Sequence, residues 1–167
     1  MKKILTLVLV MLLVVASAAV AEGVIGFLPP AMTSPFYASC IEGATPVAEA
    51  LGYELSVLAP PSEDDYATQT SMMEDFITQG VKGIAVCGIN LEALKPAIAK
   101  ANEAGIPVVM FNTITELEGV DVYAYSGYNQ YNGGAKIADW VNEQTGGTAK
   151  VAIIEGLPSD YTTQRMG

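Results

Sequence analysis

Four short runs of side chains in this 167-residue chain carry groups that can grip a small molecule. Phe36 and Tyr37 follow Pro35, Asn112 and Thr113 follow an apolar run, and Asn129 and Gln130 follow Tyr128. Arg165 is the one arginine in the chain. Aromatic rings offer apolar area to the C–H face of a ligand. Amides supply a donor and an acceptor together. Guanidinium presents five donors in a rigid fork that suits vicinal hydroxyls or a carboxylate. This is recognition chemistry.

The chemistry of bond breaking is thinly represented. The chain has no histidine, which removes the commonest general base and the commonest transition-metal ligand. Cys40 and Cys87 have no metal-ligand spacing and sit among apolar neighbours. An oxidising compartment would allow them to pair, but two buried thiols are the expectation. After Val24 to Leu28 the chain reads Pro29-Pro30-Ala31-Met32-Thr33. That is neither the G-x-G-x-x-G of a dinucleotide site nor a P-loop. No catalytic residue, metal ligand or cofactor site is expected.

The elements that must position these groups alternate regularly. Val24 to Leu28 is a short apolar strand, and residues 36 to 50 carry apolar side chains at helical intervals up to Gly52. Pro46 falls inside that pattern, where an interior proline costs about 3 kcal/mol or kinks the helix. Tyr53 to Leu58 alternates like a strand, and Tyr66 to Thr78 is helical with Met72, Met73, Phe76 and Ile77 on one side. Gly83 to Val86 reads as a buried strand, Leu91 to Ala104 as a helix, and Ile106 to Phe111 as another strand. Strand-like residues 123–125, a helix from Gly134 to Glu143 and a strand from Val151 to Ile154 follow. Such alternation predicts βαβ units and an α/β, doubly wound parallel sheet with flanking helices. Near-continuous apolar strands fit a sheet covered on both faces. Ligands of such sheets sit beyond the carboxyl ends of the strands. The loops starting at Leu28, Val86, Phe111 and Ser126 therefore share one mouth. Asn90 lies there too, with a turn role expected.

Composition sets the compartment and narrows the partners. Lys2 and Lys3 precede an apolar stretch from Ile4 that closes on Ala19-Val20-Ala21. A basic start, an apolar middle and an A-x-A ending predict a signal peptide over residues 1–21, cut after Ala21, and a periplasmic or secreted product. Formal charge is 8 − 18 = −10, and loss of Lys2 and Lys3 makes it 6 − 18 = −12. Such a balance repels phosphate backbones, so nucleic acid is not an expected partner. A strongly anionic ligand is disfavoured as well, unless a local cleft overrides the global field.

Several segments together resemble a known family. Val24-Ile25-Gly26-Phe27, Ser34-Pro35-Phe36-Tyr37 and Gly52-Tyr53-Glu54-Leu55 resemble the opening of periplasmic ribose-binding-type, sugar-binding solute-binding proteins of type I. So do Gly80-Val81-Lys82-Gly83-Ile84, Ala104-Gly105-Ile106-Pro107-Val108-Val109 and Val151-Ala152-Ile153-Ile154-Glu155-Gly156. The run from Thr162 to Gly167 is similar to the family's arginine-then-glycine site segment. The resemblance implies two α/β lobes joined by crossing strands. A small solute, in the first place a monosaccharide, is held between them for an ABC importer or chemoreceptor. The membrane is met only through that transporter.

On this pattern residues 22–126 form the N-terminal lobe, and residues 127–167 the crossover and the beginning of a C-terminal lobe. The family is roughly twice this long, so the chain is expected to be an N-terminal portion. The resemblance points to Phe36, Tyr37, Asn112, Thr113, Asn129, Gln130 and Arg165 as ligand contacts. The family's usual Asp and Arg after the fourth strand are Asn112 and Thr113 here, and a further Asp at the crossover is Asn129. These departures leave room for a polar ligand other than a sugar. Sugar-responsive regulators share the fold, but they carry a helix-turn-helix before the first strand, where this chain has its leader. A nucleotide-using enzyme lacks its glycine-rich loop here.

Overall fold

A computed structural model describes residues 21–157 and 159–166. The expected leader, apart from Ala21, lies outside the described residues, as does Gly167.

Five strands, β1 (Gly23–Leu28), β2 (Tyr53–Val57), β3 (Gly83–Val86), β4 (Val108–Phe111) and β5 (Ala124–Ser126), form one sheet in the order β2-β1-β3-β4-β5. Every pairing is parallel, from Gly23 opposite Tyr53 at one edge to Phe111 opposite Ser126 at the other. Between the strands run α1 (Pro35–Ala50), α2 (Tyr66–Gln79) and α3 (Leu91–Glu103), followed by α4 (Gln130–Thr145) and α5 (Asp160–Met166). Both the sheet and its flanking helices are those expected.

Side chains alternate across each strand, and the two faces of the sheet have different fates. Leu28, Ile84, Val86, Val108 and Met110 point to the side of α2 and α3, where they pack with Met73, Phe76, Leu94 and Ile98. All of these are at most 2% exposed. A fully buried large apolar side chain contributes about 1.5–3 kcal/mol, so this layer supplies most of the fold's stability. The other face is only partly covered. Phe27 and Cys87 are buried there, but Ile25, Ala85, Val109 and Phe111 keep some solvent contact. A sheet equally covered on both faces is therefore not what the described residues form, because α1 packs chiefly on the β2 edge.

Local signals explain the helix boundaries. The Asp65 carboxylate accepts from the amide of Thr68 at 3.0 Å, and the Asn90 side chain accepts from that of Ala93 at 2.9 Å. Each satisfies an orphan donor of a first turn. The bond to Thr68 holds the Asp65 carboxyl below its ordinary pKa. Gly80 closes α2 in the left-handed conformation, with φ 68°. Pro46 does not divide α1, which runs unbroken from Pro35 to Ala50. Pro46 has no N–H to donate to the carbonyl of Glu42, and both residues are exposed.

Two expectations fail near the end of the chain. The last long helix starts at Gln130 rather than Gly134, because the Asn129 side chain caps it by accepting from the amide of Asn132 at 2.8 Å. Residues 151–154 form no strand. A strand exists only through its ladder, and no described strand lies beside this segment to pair with it. Val151, Ile153 and Ile154 are 64, 64 and 98% exposed. Cys40, expected to be buried, is half-buried on α1, and what burial it has raises its thiol pKa. Cys87 is buried as expected, and neither cysteine is in a disulfide.

Candidate functional site

The carboxyl ends of β1, β3 and β4 open into a cavity of about 190 Å³. Pro30, Tyr37, Glu63, Ile89 and Asn112 line it from the first α/β unit. Gly156, Leu157, Ser159, Thr162 and Arg165 line it from the far side. A larger hollow of about 350 Å³ lies between Ile106–Val108 and Asp121–Tyr123. It sits at the amino ends of β4 and β5, where parallel sheets do not place ligands. The smaller cavity is the candidate site.

An aromatic cluster adjoins the cavity, and Tyr37 is its member among the described lining residues. Phe27 stacks on Phe111 with ring centroids 4.7 Å apart. Tyr37 stands edge-on to Phe111 at 6.5 Å and to Phe36 at 5.2 Å. The Tyr37 hydroxyl lies 3.7 Å from the Cys87 sulfur. Burial first, and then the neighbouring Cys87 and Glu63, push its phenol well above the ordinary value of 10.0. Tyr37 is thus a neutral hydroxyl at any physiological pH. Beneath it Gln69, 1% exposed, donates to the carbonyl of Cys87 and accepts from the amide of Ile89, both at 2.9 Å. Those two bonds hold the loop between β3 and α3.

Asn112 is held in a special backbone conformation. Its φ is 62°, a left-handed value that Asn tolerates better than most residues. The turn is pinned by the Asn112 amide, which donates to Ser126 at 2.7 Å, and by its carbonyl, which accepts from Gln130 Nε2 at 3.0 Å. Gly127 lies so close to the backbone of Asn112 and Thr113 that a Cβ there would collide with it. The Asn112 side chain turns into the site, with Nδ2 donating weakly to the Cys87 sulfur at 3.8 Å.

Arg165 reaches the cavity from α5. Its Nε donates to Gln130 Oε1 at 2.5 Å, and its Nη2 donates to the Tyr128 hydroxyl. The guanidinium carbon lies 5.8 Å from the Tyr128 ring centroid. Gln130, 1% exposed, therefore ties Asn112 on one wall to Arg165 on the other.

Of the seven residues expected to contact ligand, Tyr37, Asn112 and Arg165 line one cavity. Phe36 is not among the described lining residues; it touches the Tyr37 ring and is 50% exposed. Thr113 is 1% exposed and spends its hydroxyl oxygen on the amide of Thr115 at 3.1 Å. Asn129 is exposed and spends its side-chain carbonyl capping α4. Gln130 positions its neighbours from below. Asn90 caps α3, the kind of turn role expected of it. Sequence reasoning missed Glu63 and Ser159 as lining residues, and named Thr162 only as the start of the arginine-bearing segment. Glu63 stands beside two further acids and reads as a solvated loop, and only the fold turns it inward.

The chain belongs to the periplasmic binding protein domain family, whose profile matches residues 25–166. It is 30% identical over 146 residues to the ribose import binding protein RbsB of Bacillus subtilis, covering 87% of this chain and 47% of that protein. It is 30% identical over 150 residues to the D-allose-binding periplasmic protein of Escherichia coli, covering 86% of this chain and 48% of the relative. A solved periplasmic solute-binding protein of an ABC transporter from Actinobacillus succinogenes, with bound D-allose, superposes with a TM-score of 0.77 at 28% identity. That match covers 87% of this chain and 53% of the other. The chain thus spans about half the length of the relatives it matches. The family consists of solute-binding proteins, and the fold is that of the type I class.

Proposed function

We propose that this chain forms one wall, the hinge region and part of the facing wall of an extracytoplasmic solute-binding protein. The captured solute is a small polar molecule, in the first place a monosaccharide, delivered to an ABC importer or a chemoreceptor. The observation that carries this reading is the cavity at the carboxyl ends of the parallel strands. It brings together the ring and hydroxyl of Tyr37, the amide of Asn112 and the guanidinium of Arg165, which together serve a hydroxyl-rich ligand. The names of the relatives, which bind ribose or D-allose, favour the same ligand class.

The action is hinge closure. Residues 127–129 carry the chain out of the sheet, and residues 156–165 supply the facing wall. A solute that touches both walls stabilises the closed arrangement by its differential contacts, and a partner reads that arrangement. Bond-breaking chemistry has no part in this scheme. Phe36, Tyr37, Asn112 and Arg165 contact the solute, while Thr113, Asn129 and Gln130 hold the turn and hinge that present them. Export follows cleavage after Ala21, so N-terminal sequencing of the processed protein should begin at Glu22.

The test is a thermal-shift panel on the two-lobed gene product with pentoses, hexoses, polyols and nucleosides. A ligand at 100 times its Kd stabilises the folded state by about 2.7 kcal/mol, which moves a melting temperature by several degrees. A shift with a pentose or hexose supports the reading. A shift with none of the sugars or polyols removes the monosaccharide assignment.

A further inference from the structure

The loop from Ser62 to Asp65 carries three consecutive acids, and their side chains have different commitments. Asp64 accepts the Ser62 hydroxyl at 2.5 Å, and Asp65 is spent on capping α2. The loop is folded on itself by the amide of Asp65 donating to Ser62 O at 3.2 Å and that of Tyr66 donating to Asp64 O at 3.0 Å. Glu63, which precedes both acids, makes no hydrogen bond or ion pair with any described residue. Yet it is only half-exposed and lines the cavity beside Tyr37. Among the described lining residues it is the one carboxylate, and Arg165 is the one cation. Tyr37 feels the Glu63 charge as well as its own burial.

This arrangement bears on ligand choice. Without Glu63 the described lining residues would offer only neutral groups and a guanidinium, which suits an anion. With the Glu63 carboxylate added, the formal charges of the described lining residues sum to zero. A carboxylate accepts hydrogen bonds from two hydroxyls at once, and it repels a ligand that brings its own carboxylate. From this we infer that Glu63 is a specificity-determining residue of the site. It accepts hydroxyls of a neutral polyhydroxylated ligand and rejects the corresponding sugar acid. The inference rests on the solute-binding reading above and adds a residue and a charge rule to it.

The test compares wild-type, Glu63→Gln and Glu63→Ala forms of the two-lobed gene product by calorimetric titration. The probes are D-ribose, D-allose, D-ribonate and D-glucuronate. Wild type is expected to bind a neutral aldose and to discriminate against the acids. Glu63→Gln should weaken aldose binding about tenfold or more, the scale of a charge-assisted hydrogen bond. It should also shift the aldose-to-acid ratio towards the acids, and Glu63→Ala should shift it the same way. Unchanged unliganded melting temperatures exclude misfolding as the cause. Aldose affinity within about twofold of wild type overturns the inference and leaves the solute-binding reading intact. So does a loss of aldose binding with an unchanged aldose-to-acid ratio, which marks a structural role for Glu63. Wild type binding neither aldose removes the monosaccharide reading and this inference with it.

Discussion

At the scale of single residues, Phe36 and Tyr37 are adjacent in the chain and opposite in environment. Phe36 is 50% exposed and Tyr37 only 7%. Phe36→Ala is therefore expected to leave folding stability within about 0.5 kcal/mol of wild type. It should weaken solute binding by about 1.5–3 kcal/mol, the order for a large apolar side chain covered by ligand. Calorimetry beside chemical unfolding checks both. Equal affinity would leave Phe36 a rim residue. Tyr37 gives a pH prediction. Its folded phenol keeps its proton above pH 10.0, where the unfolded phenol releases it. The folded state then binds more protons than the unfolded one, so Tyr37 makes stability fall as pH rises past that value. Below it, Tyr37 adds no slope. Urea unfolding at a series of alkaline pH values should show this slope in wild type and its loss in Tyr37→Phe.

At the scale of elements, capping residues explain what periodicity leaves vague. The apolar spacing of Met73 and Phe76 makes α2 legible, because burial on one face demands it. Starting points depend instead on a single side chain bonding a single amide. Asn129 moves the start of α4 four residues ahead of the expected Gly134. Asn90→Ala should cost about 1 kcal/mol of stability through loss of the α3 cap. Solute affinity should stay unchanged, since Asn90 does not line the cavity. Parallel unfolding and binding measurements separate the two roles. A loss of affinity with unaltered stability would make Asn90 a contact residue.

At the scale of the molecule, the apolar surface is unevenly distributed. Ile137 and Trp140 on α4, with Val151, Ile153 and Ile154 beyond it, are all more than 60% exposed. Large apolar side chains left this exposed favour association when they adjoin one another. The 167-residue chain on its own is accordingly expected to self-associate. Its first α/β unit should unfold cooperatively, while residues 127–166 contribute little to the transition. Sedimentation velocity and thermal scans test this. A monomer with one sharp transition and micromolar sugar binding would show that these residues are packed without further chain.

The parallel character of the sheet was legible in the sequence, because short apolar strands separated by amphipathic helices admit few other arrangements. The mouth at the carboxyl ends followed from that topology, and with it Tyr37 and Asn112. What the residues from Val151 to Ile154 do was not legible. Their apolar character is strand-like, but a strand requires a neighbour, and the neighbour is a property of the assembled sheet. The same holds for the polar groups. Whether an amide such as Thr113's neighbour Asn112 faces a ligand, or one such as Asn129 caps a helix, depends on which backbone amides the fold leaves within hydrogen-bonding reach. Glu63 shows the limit most clearly. Among three adjacent acids, local sequence does not distinguish the one turned towards Tyr37 and Arg165, because those residues lie far away along the chain. Only the tertiary structure brings them around one cavity.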